Sequence, residues 1–216
     1  MKAFVPICLY SNGFFLIKEH VNKFLRYYTN YEEILFVIVD RLYGHNLLIR
    51  NRVSTNESAR KAFEKRGQDI FFLISNCVQK YVLVNKPATK YEIKRWDEIA
   101  ETCEYLSLKK KIISEFDKNT NLKNHSERFI KENLTRMVNE IDLGKIVLEH
   151  DYLFSEITMS VYLTEFCGFT DEIWERPQRD SLQDPIDVLY REETEILKRI
   201  IGKKDYQRNL LYIPLL

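Results

Sequence analysis

A chain of 216 residues with 45% hydrophobic and 30% charged residues is long enough to bury a core without disulfides or metal. Its composition excludes disorder and fibrous repeats, and the absence of any run of about 18 apolar residues excludes an apolar spanning helix. The net charge of +1 is uneven: residues 41–111 carry 15 Lys and Arg against 8 Asp and Glu, whereas the residues after 111 carry 14 against 20. A basic excess confined to one third of a chain is the footprint of a polyanionic partner, or of a solvated helix face.

Ala3–Leu9 is a short apolar run that reads as a first, buried strand rather than a signal peptide, because Ser11-Asn12-Gly13 breaks it and no small-residue cleavage pattern follows. Phe15–Tyr28 spaces Leu16, Val21, Phe24 and Leu25 as a helix, and Glu33–Val39 reads as a second strand, giving a βαβ start. Ser54-x-x-Glu57 predicts a capping box opening a helix through the segment ending at Val78. Lys80–Val84 and Tyr91–Trp96 read as further strands. From residue 97 the pattern is helical over 97–117, 124–141 and 143–166, with a break at Asp142-Leu143-Gly144. The segment from Ile146 to Phe166 is apolar almost all round and reads as a buried helix. Thr170–Glu175 fits a strand, and Asp184–Ile201 a final helix with Asp184 and Pro185 at its start. Strands alternating with helices predict one α/β domain over 1–216, a doubly wound, mainly parallel sheet with helices on both faces.

Several chemistries are absent. There is no GxGxxG after the first strand, no GxxxxGK[ST], no HExxH and no GxSxG, which disfavours NAD enzymes, P-loop NTPases, zinc hydrolases and α/β-hydrolases. His20, His45, His125 and His150 have no metal-ligand spacing. Cys8, Cys77, Cys103 and Cys167 form no CxxC and read as reduced thiols of a cytoplasmic protein. No metal or other cofactor is expected.

Three features carry chemistry. Ser11 follows the first strand, where open α/β sheets bind ligands, although a Ser-Asn-Gly turn also satisfies ordinary turn chemistry. Tyr152 and Glu156 lie one helical turn apart on the apolar 146–166 segment. A carboxylate there needs a cation, which a ligand amine or a distant arginine can supply. Arg60, Lys61, Lys65 and Arg66 cluster on the helix opened by the capping box, a pattern that neutralises phosphates without reading sequence. Lys94-Arg95 and Lys109-Lys110-Lys111 are candidates to extend that patch.

Together, in this order and with 141 residues between Ser11 and Tyr152, these features resemble the tRNA-dependent cyclodipeptide synthases. In that family a serine after the first strand is followed about 140 residues later by Tyr-x-x-x-Glu on a buried helix. VIVDRLYGHNL at 37–47, IKRWDEI at 93–99 and Asn133 also fit, so the resemblance spans nearly the whole chain. It implies a Rossmann-like fold similar to the catalytic domains of class I tyrosyl- and tryptophanyl-tRNA synthetases, but without ATP. The implied substrates are two aminoacyl-tRNAs joined into a 2,5-diketopiperazine by a ping-pong route through aminoacyl- and dipeptidyl-Ser11. Glu156 and Tyr152 would hold the α-ammonium, with Asn133 as a further catalytic residue. The helix at 60–66 would grip the acceptor stem, in a monomer with no membrane partner.

Two positions depart from the family pattern. Phe14 stands where one subfamily has Asn, and Arg176-Pro177 where the other has Tyr-Pro, so the chain resembles the second subfamily without its serine-positioning tyrosine. Arg176 would instead pair with Glu156 or meet an acidic substrate side chain. By position, Ile7, Leu9, Met159 and Trp174 would line the first aminoacyl pocket, whose apolar walls and indole donor suit an aromatic or histidyl group, and Phe14 and Val39 the second. The competing readings are an inactive tRNA-binding homologue, a small serine esterase, for which no His-Asp partners are visible, and a structural module.

Overall fold

The computed structural model describes residues 1–9, 14–174, 188–190, 193–202 and 208–213, without the side chains of Thr194 and Tyr212. Its centre is a strand with no face to spare for water. In β1 (Lys2–Cys8) the residues from Ala3 to Pro6 and Ile7 are all buried, which is why the run is continuously apolar rather than alternating. Helix α1 (Lys18–Tyr27) follows, and β2 (Glu33–Val39) returns parallel to β1, paired with it from Lys2↔Glu33 to Cys8↔Val39.

Beyond β2 come α2 (Asp40–Ile49), α3 (Asn56–Asn85) and β3 (Lys90–Arg95), then α4 (Trp96–Ala100), α5 (Cys103–Lys118), α6 (Thr120–Met137) and α7 (Leu143–Val161). A π-helical turn (Tyr162–Phe166) ends α7 and leads to β4 (Asp171–Trp174), and α8 (Thr194–Ile201) and β5 (Asn209–Tyr212) follow. All five strands are parallel, in the order β3-β2-β1-β4-β5. This is the doubly wound α/β sheet expected from the sequence, and its order reverses between β1 and β4.

Side-chain alternation divides the core. Ala3, Val5, Ile7, Ile34, Phe36 and Ile38 face α1 and α3, where they meet Phe24, Leu25, Ile70 and Ile74. Phe4, Leu35, Val37 and Val39 face the other way, onto Trp96, Tyr105, Met159 and Leu163. A third cluster, with Phe116, Leu122, Leu134, Phe154 and Leu197, joins α5 to α8 behind α7. Each fully buried Val, Leu, Ile or Phe contributes about 1.5–3 kcal/mol, so these faces hold α7 against the sheet.

Four expectations change. Lys80–Val84 is the last part of α3, not a strand: Ile70, Ile74, Cys77 and Val78 keep a helical inward face while Val82, Leu83 and Val84 are exposed. Helical period thus prevails over β-branched content, and Lys86 in a left-handed conformation (φ 46°), followed by Pro87, ends the helix. The cap of α3 is Thr55, whose hydroxyl accepts from the Ser58 amide at 3.1 Å, one residue after Ser54. Glu57 pairs with Arg60 and Lys61 instead. The start of α7 is exposed at Leu143, Ile146 and Val147, so only its later turns are enclosed. Strand β5 lies where no strand was expected, and Asp184 and Pro185 lie outside the described residues.

Helix α3 crosses the sheet edge at Gly67, where a buried ion pair fills the space a side chain would need. Asp40, 2% exposed, receives Arg95 Nε at 2.6 Å. A Cβ on Gly67 would stand 2.5 Å from Asp40 Oδ2, 2.9 Å from its Cβ and 3.0 Å from Arg95 Nη2. Alanine gains about 1 kcal/mol over glycine in a helix, but overpacking costs about 1–3 kcal/mol. Gly67→Ala is therefore expected to lower the urea-unfolding free energy, by up to about 2 kcal/mol; a stabilised variant would contradict this packing.

Candidate functional site

The switch point opens because the two neighbours of β1 treat it differently. Pairing with β2 runs the whole length of β1, whereas pairing with β4 covers only Ala3↔Asp171 and Phe4↔Glu172. Pro6 has no N–H to offer a neighbour. Above Phe4 the sheet therefore has a gap at the carboxyl ends of its strands, and the chain leaving β1 toward Ser11 emerges there. Ser11 itself, with Tyr10, Asn12 and Gly13, lies outside the described residues, as do Arg176 and Pro177.

The polar pair on α7 is formed. Tyr152 Oη donates to Glu156 Oε1 at 2.8 Å, as the four-residue spacing dictates, and both side chains are half-buried. Tyr152 lines a small cleft with Cys8, Leu9, Val39, Leu42, Tyr43 and Asn46. A phenol backed by a carboxylate, beside the ends of β1 and β2, is an acceptor set suited to an ammonium group.

The expected pocket residues are brought together only in part. Leu9 and Val39 share the Tyr152 cleft. Ile7 is fully buried on the α1/α3 side, while Met159 is buried on the α7 side, so the sheet stands between them. Phe14 stacks on His20 and packs against Phe15 at the edge of the α1/α3 core, on the opposite side from Val39. Strand alternation sets the sides of Ile7 and Val39, while Phe14 belongs to the short turn Phe14–Leu16 that precedes α1. Trp174 ends β4 half-buried, and its indole N–H is donated to Glu172 Oε1 at 2.9 Å. The indole donor expected for the pocket is thus engaged within the protein.

Asn133 lies on α6 and donates to Glu149 Oε1 at 3.0 Å. Glu149 is the fully buried carboxylate of α7, and its Oε2 has no hydrogen-bond partner among the described residues. Burial pushes this carboxyl above its usual range, against the smaller lowering effect of Asn133. The sequence reading attached burial to Glu156 and passed over Glu149, although its place two turns before Glu156 was a signal. His45 is half-buried nearby. Its Nε2 lies 3.7 Å from Asp151, and desolvation holds its pKa below the ordinary value. Lys109 bridges Asp151 Oδ1 at 2.6 Å and Ser155 Oγ at 2.7 Å.

The basic helix is partly self-neutralised. Arg60 is bound by Glu57 and by Glu64 at 2.6 Å, and Lys61 lies 3.4 Å from Glu57. Lys65 is exposed, Arg66 half-buried, and neither has an ion pair among the described residues. Lys109 and Lys111 do not extend the patch: Lys109 is held as above and Lys111 bonds the Ile200 carbonyl at 2.6 Å. Arg95 serves Asp40, and Lys94 is 3.0 Å from Glu92. Among the described residues no three His, Cys, Asp or Glu side chains converge to hold a metal ion, and no helix is long and apolar enough to cross a membrane.

This fold, with its crevice between β1 and β4, is that of solved cyclodipeptide synthases. The chain overlays over 98% of its length on 88% of a synthase from Fluoribacter dumoffii, with TM-score 0.67 and 18% identity. It overlays equally far on 94% of AlbC, a cyclodipeptide synthase from Streptomyces noursei, with TM-score 0.66 and 12% identity. A Mycobacterium tuberculosis protein, whose structure relates cyclodipeptide synthetases to type I tRNA synthetases, matches at TM-score 0.66 and 11% identity over 98% of this chain and 83% of its own. At these identities the likeness establishes the fold. No protein-family model matches the chain, and no curated protein sequence does.

The buried Glu149 carboxyl has a consequence for stability. A raised folded pKa means that the unfolded chain releases this proton first, so stability falls as the pH rises from about 4.3 toward the raised value. Asp40, also raised by burial, contributes a slope of the same sign. Glu149→Gln is expected to flatten the dependence by one group's share and to leave the protein at least as stable at pH 7.5. Urea titrations between pH 4.5 and 7.5 read this directly, and an unchanged slope would remove Glu149 from the account.

Proposed function

We propose that this protein is a cyclodipeptide synthase. It uses two aminoacyl-tRNAs and a covalent serine, with no ATP and no metal. The observation that carries the reading is the Tyr152–Glu156 hydrogen bond beside the carboxyl ends of β1 and β2, in a sheet that opens at its switch point between β1 and β4. A structural module gives no reason for such a pair at the crevice, and a serine esterase gives no use for an ammonium-binding carboxylate.

In this mechanism Ser11 Oγ attacks the carbonyl of the first aminoacyl ester. Its proton passes to the departing ribose oxygen, and an aminoacyl-serine ester remains. Glu156 holds the α-ammonium of that acyl group, with Tyr152 Oη as second partner. Once deprotonated, the amine attacks the ester of the second aminoacyl-tRNA, releasing its tRNA and leaving a dipeptidyl-serine. The new terminal amine then attacks the serine ester, closing the six-membered ring and restoring the Ser11 hydroxyl. Tyr152 is placed one hydrogen bond from Glu156 and relays the amine protons. Both esters arrive activated, so the proposal needs no nucleotide.

Tandem mass spectrometry of the medium of an expressing bacterium tests the reaction. A diketopiperazine that disappears in Ser11→Ala is expected, and its mass names both amino acids. A product that persists in Ser11→Ala would overturn the covalent route, while tRNA binding without any product would favour the inactive homologue. Lys61 and Lys65, exposed one turn apart on α3, are proposed with Arg60 and Arg66 to hold tRNA phosphates. Lys61→Glu with Lys65→Glu should weaken tRNA binding about tenfold or more at low salt and reduce the slope of log K against log salt by roughly 2. Unchanged binding would move the tRNA to another face.

A further inference from the structure

A second buried polar cluster, outside the Tyr152 cleft, centres on a carboxylate of β4. Glu172, on β4, is 2% exposed, and Arg208, just before β5, is 4% exposed. Glu172 Oε2 receives Arg208 Nε at 2.9 Å and Ser160 Oγ at 2.8 Å, and Oε1 receives the Trp174 indole N–H at 2.9 Å. The Arg208 guanidinium lies 5.7 Å from the centroid of Tyr190, whose hydroxyl contacts Thr164 Oγ1 at 2.9 Å. One buried ion pair thus ties α7, β4, the approach to β5 and the 188–190 segment together.

Its position relates it to the crevice. The chain turns back between α7 and β4, so stepping from Ser160 back to Glu156 and from Glu172 on to Trp174 leads in the same direction. The two steps are nearly equal, about 6 Å along the helix and about 6.6 Å along the strand. Glu172 shares a sheet face with Phe4, its partner in register, and with α7. Trp174, two residues on, shares that face. Trp174 therefore stands level with Glu156, at the mouth of the gap between β1 and β4, while Glu172 and Arg208 fix it from below.

We propose that the Glu172–Arg208 pair is a positioning device for substrate selection. It locks the Trp174 indole as an apolar wall beside the aminoacyl group held by Glu156, and it engages the indole N–H so that the wall offers no donor. The site then favours a first amino acid with a large uncharged apolar side chain over polar or ionised ones. This inference rests on the synthase reading above.

The test is a double-mutant cycle on the full-length enzyme with a mixture of purified aminoacyl-tRNAs, the cyclic products being quantified by mass spectrometry. Glu172→Gln is expected to reduce the preference for large apolar over polar first residues about tenfold, and Trp174→Phe to shift the same ratio. In Trp174→Phe, adding Glu172→Gln should change the ratio no further. Additive shifts, or an unaltered ratio in a folded Glu172→Gln, would overturn the proposal, since a purely structural ion pair alters stability and yield but not selectivity. Should Glu172→Gln fail to fold, Ser160→Ala leaves no charge unpaired. It should shift the ratio in the same direction together with the Trp174 fluorescence, obtained by subtracting the Trp174→Phe spectrum; no shift in either would equally overturn it. A wild-type enzyme that makes no cyclic dipeptide would remove the synthase reading and this one together. Product with unaltered selectivity removes this one alone.

Discussion

The unequal pairing of β1 shapes everything functional in this chain. Along its whole length it is bonded to β2, but to β4 only at Ala3 and Phe4, and Pro6 brings no amide to the strand above that point. A parallel sheet that separates at its switch point leaves a crevice with backbone ends around it and a helix at its back. The described end of β1, at Cys8 and Leu9, lines one side of that crevice, and Tyr152 of α7 lines another. The same strand is buried on both sides, so the crevice is held by the core itself rather than by a surface loop.

Helix α7 concentrates the buried polar chemistry. Going down it, Glu149 meets Asn133, Asp151 meets Lys109, Tyr152 meets Glu156, and Ser160 meets Glu172. A helix packed against a sheet tolerates these groups only when each has a partner, because an uncompensated buried polar atom costs roughly 1–3 kcal/mol. Most of these partners come from another element, α6, α5 or β4, so the polar contacts also set how α7 sits. The Tyr152–Glu156 hydrogen bond runs within the helix, both side chains are half-buried, and Tyr152 lines the cleft with Leu9 and Val39.

Much of this was legible in the sequence because it depends on short-range patterns. The apolar runs Ala3–Leu9 and Glu33–Val39 emerged as β1 and β2 nearly residue for residue, and Tyr-x-x-x-Glu could only place its two side chains on one helical face. Lys80–Val84 was misread because Val82 and Val84 are β-branched and strand-like locally, while the helix that carries them shows its inward face earlier, from Ile70 to Val78. The cap of α3 was displaced by one because Ser54 and Thr55 are chemically equivalent candidates. Which residues share a pocket was hardest to read. Ile7 and Met159 are both apolar and both lie on elements that frame the crevice, but the sheet divides them, and that follows from strand register rather than composition. The Glu172–Arg208 pair joins a four-residue strand to the residue just before another, unforeseen one, so neither side chain announced a partner.

The central claim is that Glu156 and Tyr152 hold the ammonium of an amino acid esterified to Ser11. Intact-protein mass spectrometry after rapid acid quench of the purified enzyme with a single type of aminoacyl-tRNA tests it most directly. The account predicts an aminoacyl adduct on wild-type protein, mapped to Ser11 and absent from Ser11→Ala. It also predicts that Glu156→Gln accumulates the adduct far more slowly while binding tRNA as wild type does. An adduct on another residue, or one formed at the wild-type rate in Glu156→Gln, would contradict it.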